Sequence, residues 1–204
     1  MIAAIIDNWL VSRDRVSEIK LQIKLQKGLN IKEHSFEGGR AMPCRDLLKY
    51  FSGAMLHYLY YIEQLHFHWG KNSSYGSEHT IENKRYPLEM HLVHYKSKYQ
   101  NVNEAVLGEE RNGLAVISVL FEISKEDNEK LEPIIKKTKA VKEVDGEVVS
   151  VGFEGLALAD LLPKSKDFLT YEGSLTTPPC AEVVSWIVLK EKAAISERQI
   201  QSFR

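Results

Sequence analysis

The stretch Gln64-Leu65-His66-Phe67-His68-Trp69-Gly70 decides how this chain is read. Side chains two apart on a strand project from the same face. Gln64, His66 and His68 therefore share one side, while Leu65, Phe67 and Trp69 face the other way, into a core. Together with Ile62 this predicts a strand with one polar face. Working outward, residues 70–80 are rich in Gly, Ser and Asn and read as a loop. Leu88 to Tyr95 alternates and reads as a half-buried strand. Gly113 to Ile123 is a near-continuous apolar run, the pattern of a fully buried strand, and Val183 to Leu189 is another. Ser124 to Lys142 is charged and reads as a surface helix interrupted at Pro133. Leu156 to Leu162 reads as a short helix or turn before Pro163. Upstream, Leu47, Leu48, Phe51, Met55, Leu56 and Leu59 fit a helical stripe over residues 41–61. Ile19 to Gln26 alternates strictly, as a half-buried strand does, and residues 1–17 suit a short amphipathic helix.

The bulk numbers bound the answer. The chain has 204 residues, 44% of them hydrophobic, enough for one domain with a substantial core. Charged residues make up 27% and the formal net charge is −1, so nothing electrostatic points to nucleic acid or an acidic membrane as partner. Met1 to Ile6 is apolar but Asp7 ends the run, short of the roughly 7 apolar residues of a signal-peptide core. We expect no signal peptide, and no run approaches the roughly 18 apolar residues of a membrane span. The two cysteines, Cys44 and Cys180, allow at most one bridge, and there is no C-x-x-C pair for a zinc ribbon.

The two same-face histidines can meet one metal ion, and His91, on the next strand-like segment, can supply a third imidazole. Three neutral histidines leave the fourth tetrahedral position open, as a catalytic zinc requires. An H-x-H pair alone is as readily a pair of half-buried packing groups. The neighbours change the balance. Gln64 lies two before His66 and Glu89 lies two before His91, each on the same face as its histidine. Metal-bound histidines give their second N–H to such acceptors, which fixes tautomer and orientation. A structural zinc site would want a fourth protein ligand, and the sequence offers none. Ser174-Leu175-Thr176-Thr177-Pro178-Pro179 is a turn on its own terms, and a hydroxyl there is also placed to orient a nucleophile.

Four motifs, in order, resemble the α-carbonic anhydrases: Gln64 to Gly70, Gly76-Ser77-Glu78-His79-Thr80, Glu89-Met90-His91-Leu92-Val93-His94, and Ser174 to Pro179. The resemblance runs from about Ile62 to Arg204 and includes Trp186 to Lys190. It implies an α+β fold dominated by a mostly antiparallel twisted central β-sheet with short surface helices. It also implies a zinc enzyme for the reversible hydration of carbon dioxide to bicarbonate. By the same resemblance His66, His68 and His91 are the zinc ligands, and Gln64 and Glu89 their outer partners. Thr176, hydrogen-bonded to Glu78, orients the attacking oxygen. Val93, Val116, Leu175 and Trp186 form an apolar wall for carbon dioxide, and Thr176 and Thr177 border the product. His79 and His94 are given structural roles. A small-molecule substrate, sulfonamide-type inhibitors and a monomer are the implied partners and state.

The chain departs from the family pattern as well. Residues 1–61 are read as an unmatched segment and 62–204 as a partial catalytic domain, with the family's last strands lying beyond Arg204. No Ser-Pro-Ile segment and no proton-shuttle histidine can be placed, since neither His34 nor His57 sits in a matching context. Proton release would then lean on buffer. Cys180 stands where secreted and membrane-anchored members often carry a bridging cysteine. Cys44 is the only other candidate partner, and a buried free thiol is the plainer expectation. The competing functional reading is an inactive, carbonic-anhydrase-related fragment or binding module.

Overall fold

A computed structural model describes residues 23–24, 50–53, 56–141 and 158–204. Its strands are β1 (Ile23–Lys24), β2 (Tyr50–Gly53), β3 (Leu56–Trp69), β4 (Leu88–Lys96), β5 (Leu114–Ser124), β6 (Phe168–Gly173), β7 (Val184–Leu189) and β8 (Ala193–Ser196). They form one sheet in the order β1-β3-β4-β5-β7-β6, with β2 also on β3 and β8 also on β5. The pairings of β3 with β1, β2 and β4, of β4 with β5, and of β6 with β7 are antiparallel. Those of β5 with β7 and β8 are parallel. The helices are short: α1 (Val102–Leu107), α2 (Glu132–Val141) and α3 (Glu197–Gln201). Among the described residues no helix is long and apolar enough to cross a membrane.

The expected helical stripe over 41–61 is overturned where the structure describes it. Phe51 lies in β2, and Leu56 and Leu59 belong to β3. Their spacing imitates a 3.6-residue repeat, but Tyr58, Tyr60 and Tyr61 are strand-formers, and pairing with β2 and β4 decides the matter. The rest of that stripe, the helix expected over 1–17 and most of the Ile19–Gln26 strand lie outside the described residues. Ile23 and Lys24 do form strand, opposite Leu65 and Gln64.

One further expectation is corrected at β4. Its alternation suggested a half-wet strand, yet every residue from Leu88 to Lys96 is buried. Both its flanks are paired, and both its faces are covered. Leu88, Met90 and Leu92 join Phe67, Val119 and Ile134 in the larger core, on the side where α2 and α3 pack. The opposite side holds Val93, Val116, Val184 and Trp186 over Ala105 of α1. Pro133 does not interrupt the helix either. It is the second residue of α2, in the first turn, where a missing N–H costs nothing. The strand Leu114–Ser124 forms and is buried from Leu114 to Phe121, but Glu122 and Ile123 near its end are exposed, against the expectation of burial throughout. The short turn of 3₁₀ helix at Leu158–Leu161 appears as expected.

The end of β4 is held by a buried charge. Lys96 is 1% exposed; its Nζ donates to Glu110 Oε1 at 2.6 Å and Asn112 Oδ1 at 2.9 Å, and lies 3.7 Å from the centre of the Tyr58 ring. Lys98 and Tyr99 reach the other Glu110 oxygen. Hydrogen bonds from Lys96 and Lys98 pull the Glu110 carboxyl down from its ordinary 4.5 to about 2. A carboxyl depressed on folding stabilises the folded state above its unfolded value, and that contribution is lost as pH falls through the folded one. Wild-type stability in urea should therefore fall between about pH 4.5 and pH 2. Glu110→Gln should cost about 1 kcal/mol at neutral pH, the worth of a partly exposed pair, and should flatten this acid limb. Parallel acid limbs in the two proteins would refute the assignment.

Candidate metal centre

Sheet register assembles the site in rows. His66 of β3 lies opposite His91 of β4, which lies opposite Ser118 of β5. One row along are His68, Glu89 and Leu120. On the other side run Gln64, Val93, Val116, Trp186 and Tyr171, across five strands. Residues directly opposite share a face, so all of these side chains crowd one side of the sheet.

The three imidazoles converge. His68 Nε2 lies 3.1 Å from His91 Nδ1, and His66 Nε2 lies 3.3 Å from the same atom. His68 and His91 are buried and His66 is half-buried. His66 Nδ1 is 3.2 Å from Gln64 Oε1, and His91 Nε2 is 2.6 Å from Glu89 Oε1. An amide oxygen and a carboxylate can only accept, so the proton of each ring sits on that nitrogen. His66 Nε2 and His91 Nδ1 are then both unprotonated, with their lone pairs turned toward one point. A cation relieves that repulsion. The separations also match the roughly 3.3 Å between nitrogens that tetrahedral ligation at about 2.0–2.1 Å requires. The residues present therefore fit a zinc ion.

Glu78 and Thr176 close over the same point. The Glu78 carboxylate is 3.5 Å from His68 Nε2 and 3.9 Å from His91 Nδ1. Burial raises the Glu78 carboxyl above its ordinary value, and His91 and the Thr176 hydroxyl offset part of that rise. The loop carrying Glu78 depends on close backbone approach. A side chain at Gly70 would meet the Tyr75 carbonyl at 2.2 Å, and one at Gly76 the Pro87 carbonyl at 2.3 Å. Leu175 packs with Val93, Val116 and Trp186, and the Trp186 ring lies 4.8 Å from that of His91. Thr177 forms the turn, its carbonyl accepting from Cys180 N–H. The thiol expected to be buried at Cys180 is instead exposed, on a residue with φ of 58° at the turn's tip. Cys44 lies outside the described residues.

A second group, His79, Glu89 and His91, also gathers ligand atoms. Here the nitrogen-to-oxygen separations are 2.5 and 2.6 Å, hydrogen-bond lengths too short for two ligands of one ion. This group is the support of the first. His79 grips Glu89 through both Nδ1 and its backbone N–H, at 2.8 Å for the latter, and its Nε2 meets the Tyr171 hydroxyl at 2.6 Å. Burial alone would raise the Glu89 carboxyl; the two histidines outweigh it and hold it well below the usual range.

A family model described as eukaryotic-type carbonic anhydrase matches residues 19–204. The chain belongs to this carbonic anhydrase family. The match extends the resemblance upstream from Ile62 to residue 19. Among curated proteins it is 42% identical to carbonic anhydrase 5A, mitochondrial, of Homo sapiens over 75% of the chain and 48% of that protein. It is 43% identical to carbonic anhydrase 7 of Mus musculus, over 75% of the chain and 56% of that protein. With carbonic anhydrase 1 of Oryctolagus cuniculus it shares 38% identity over 84% of the chain and 69% of that protein. The chain thus spans about half the length of several relatives it matches. The mostly antiparallel sheet with few short helices is the fold expected of a carbonic anhydrase.

Sequence reasoning did not assign Ser118, Tyr171 or the grip of His79 on Glu89. Ser118 left a trace, as the one polar residue of the run Leu114–Phe121. Tyr171 left none, because its strand lies far away in sequence.

Proposed function

We propose that this carbonic anhydrase relative hydrates carbon dioxide reversibly, with His66, His68 and His91 holding one zinc ion. One observation carries the reading: His66 Nε2 and His68 Nε2 lie 3.3 and 3.1 Å from His91 Nδ1, while the other ring nitrogens of His66 and His91 face the acceptors Gln64 and Glu89. Bound zinc would supply a nucleophile at neutral pH by lowering the pKa of water to about 7.

The remaining work falls to the chain's own side chains. With the Thr176 hydroxyl donating toward Glu78, its oxygen would be left as an acceptor toward the reacting centre. An acceptor there admits only an O–H donor and turns the attacking lone pair toward the substrate. Val93, Val116 and Trp186, all buried, and Leu175 beside them, form a wall that excludes water and suits an apolar, linear molecule. Thr177 borders the space the product would leave through.

Elemental analysis should find one zinc per folded chain, and stopped-flow assays should show carbon dioxide hydration that a sulfonamide blocks. Folded, zinc-loaded protein with no hydration above the buffer rate would end this reading. Thr176→Ala should keep the zinc and lower turnover roughly 10–100-fold. Loss of metal in that variant would show that Thr176 belongs to the ligand support instead.

A further inference from the structure

We propose that Ser118 is a positioning residue for the metal centre, its hydroxyl setting how strongly Glu89 draws on the Nε2–H of His91 and hence how strongly His91 Nδ1 binds zinc. The proposal rests on the zinc reading above. Ser118 is fully buried in the middle of β5, directly opposite His91. Its Oγ donates to Glu89 Oε1 at 2.6 Å. The same oxygen accepts from His91 Nε2–H at 2.6 Å and lies 2.5 Å from His79 Nδ1.

One carboxylate oxygen has two lone pairs, and here three donors share them. Each donor draws charge from Oε1 and leaves less for the others. An acceptor behind a metal-bound histidine makes that histidine a stronger ligand. A hydroxyl pressed on the acceptor therefore works in the opposite direction and weakens it. Ser118 is not needed to hold Glu89 in place, because His79 grips the carboxylate from two sides, at Oε1 and at Oε2. Glu89 and Ser118 are both 0% exposed, so bulk solvent does not reach the place of a missing hydroxyl.

Ser118→Ala removes one oxygen atom. The expected result is zinc bound about threefold more tightly, a fraction of the 10–100-fold that losing an outer acceptor costs. Zinc affinity would be measured by chelator competition on metal-free protein. The visible bands of the cobalt-loaded protein should shift in the same variant, and Ser118→Thr, which restores the hydroxyl, should return both toward wild type. A merely structural serine predicts the opposite sign, weaker binding on truncation. Should the alanine variant not fold, Ser118→Cys, close in size and a weaker donor, carries the test with a smaller shift in the same direction. Affinity unchanged or weakened in the folded variant overturns the role of Ser118 and leaves the zinc reading intact. A folded wild type that binds no zinc overturns both.

Discussion

Replacing His91 with alanine is expected to remove tight zinc binding and, with it, hydration of carbon dioxide. His91 Nδ1 is the shared vertex of the cluster, 3.1 Å from His68 Nε2 and 3.3 Å from His66 Nε2. Without it the remaining imidazoles come from one strand, and two ligands do not hold a catalytic zinc. Affinity should fall by more than the roughly 100-fold that marks the upper end for outer-shell losses. The fold should survive, because Glu89 keeps its contacts with His79 and Ser118 and is not left as an unpaired buried charge. Chelator competition and circular dichroism on the same sample check both halves. Zinc affinity within tenfold of wild type, in a folded variant, would mean that His91 is not a ligand.

The second large effect lies one residue from two of the candidate ligands, His66 and His68, and on the other side of the sheet. Phe67→Ala should cost about 3–5 kcal/mol in urea unfolding, a large share of the roughly 5–15 kcal/mol that holds a domain together. Phe67 is 2% exposed, and its ring packs on Phe203 of the C-terminal segment at 5.2 Å between centres. Truncation opens a cavity between β3 and that segment. His66 and His68 point away from it and stay aligned by pairing with β4. Zinc affinity of the folded fraction should therefore remain close to wild type while stability falls. A loss below about 1 kcal/mol would show that the core closes over the gap. Together the two variants separate the functions of alternate residues on one strand, a ligand face and a packing face.

The strand carrying His66 and His68 was legible because a two-residue period states which side chains share a face, whatever lies around them. The buried runs at Leu114–Phe121 and Val184–Leu189 were legible because sustained apolar sequence has few other uses. The segment before Ile62 misled. Its leucines and phenylalanine match a helical spacing as well as a strand, and only pairing with β2 and β4 selects the strand. Burial of β4 was not legible either. Alternation marks two faces, and nothing local says that the polar one is covered as well.

The sequence by itself singled out the candidate trio His66, His68 and His91, the two acceptors nearest them and the family, since each rests on spacing along one strand or on short motifs. Tertiary structure alone decided what supports them. Ser118 and His79 reach Glu89, and Tyr171 reaches His79, from separate segments that no local pattern brings together. It also decided that Ser118 and Glu89 sit away from water. That is a matter of how many layers cover a face, and it is why a hydroxyl and a carboxylate there act on each other with little screening by solvent.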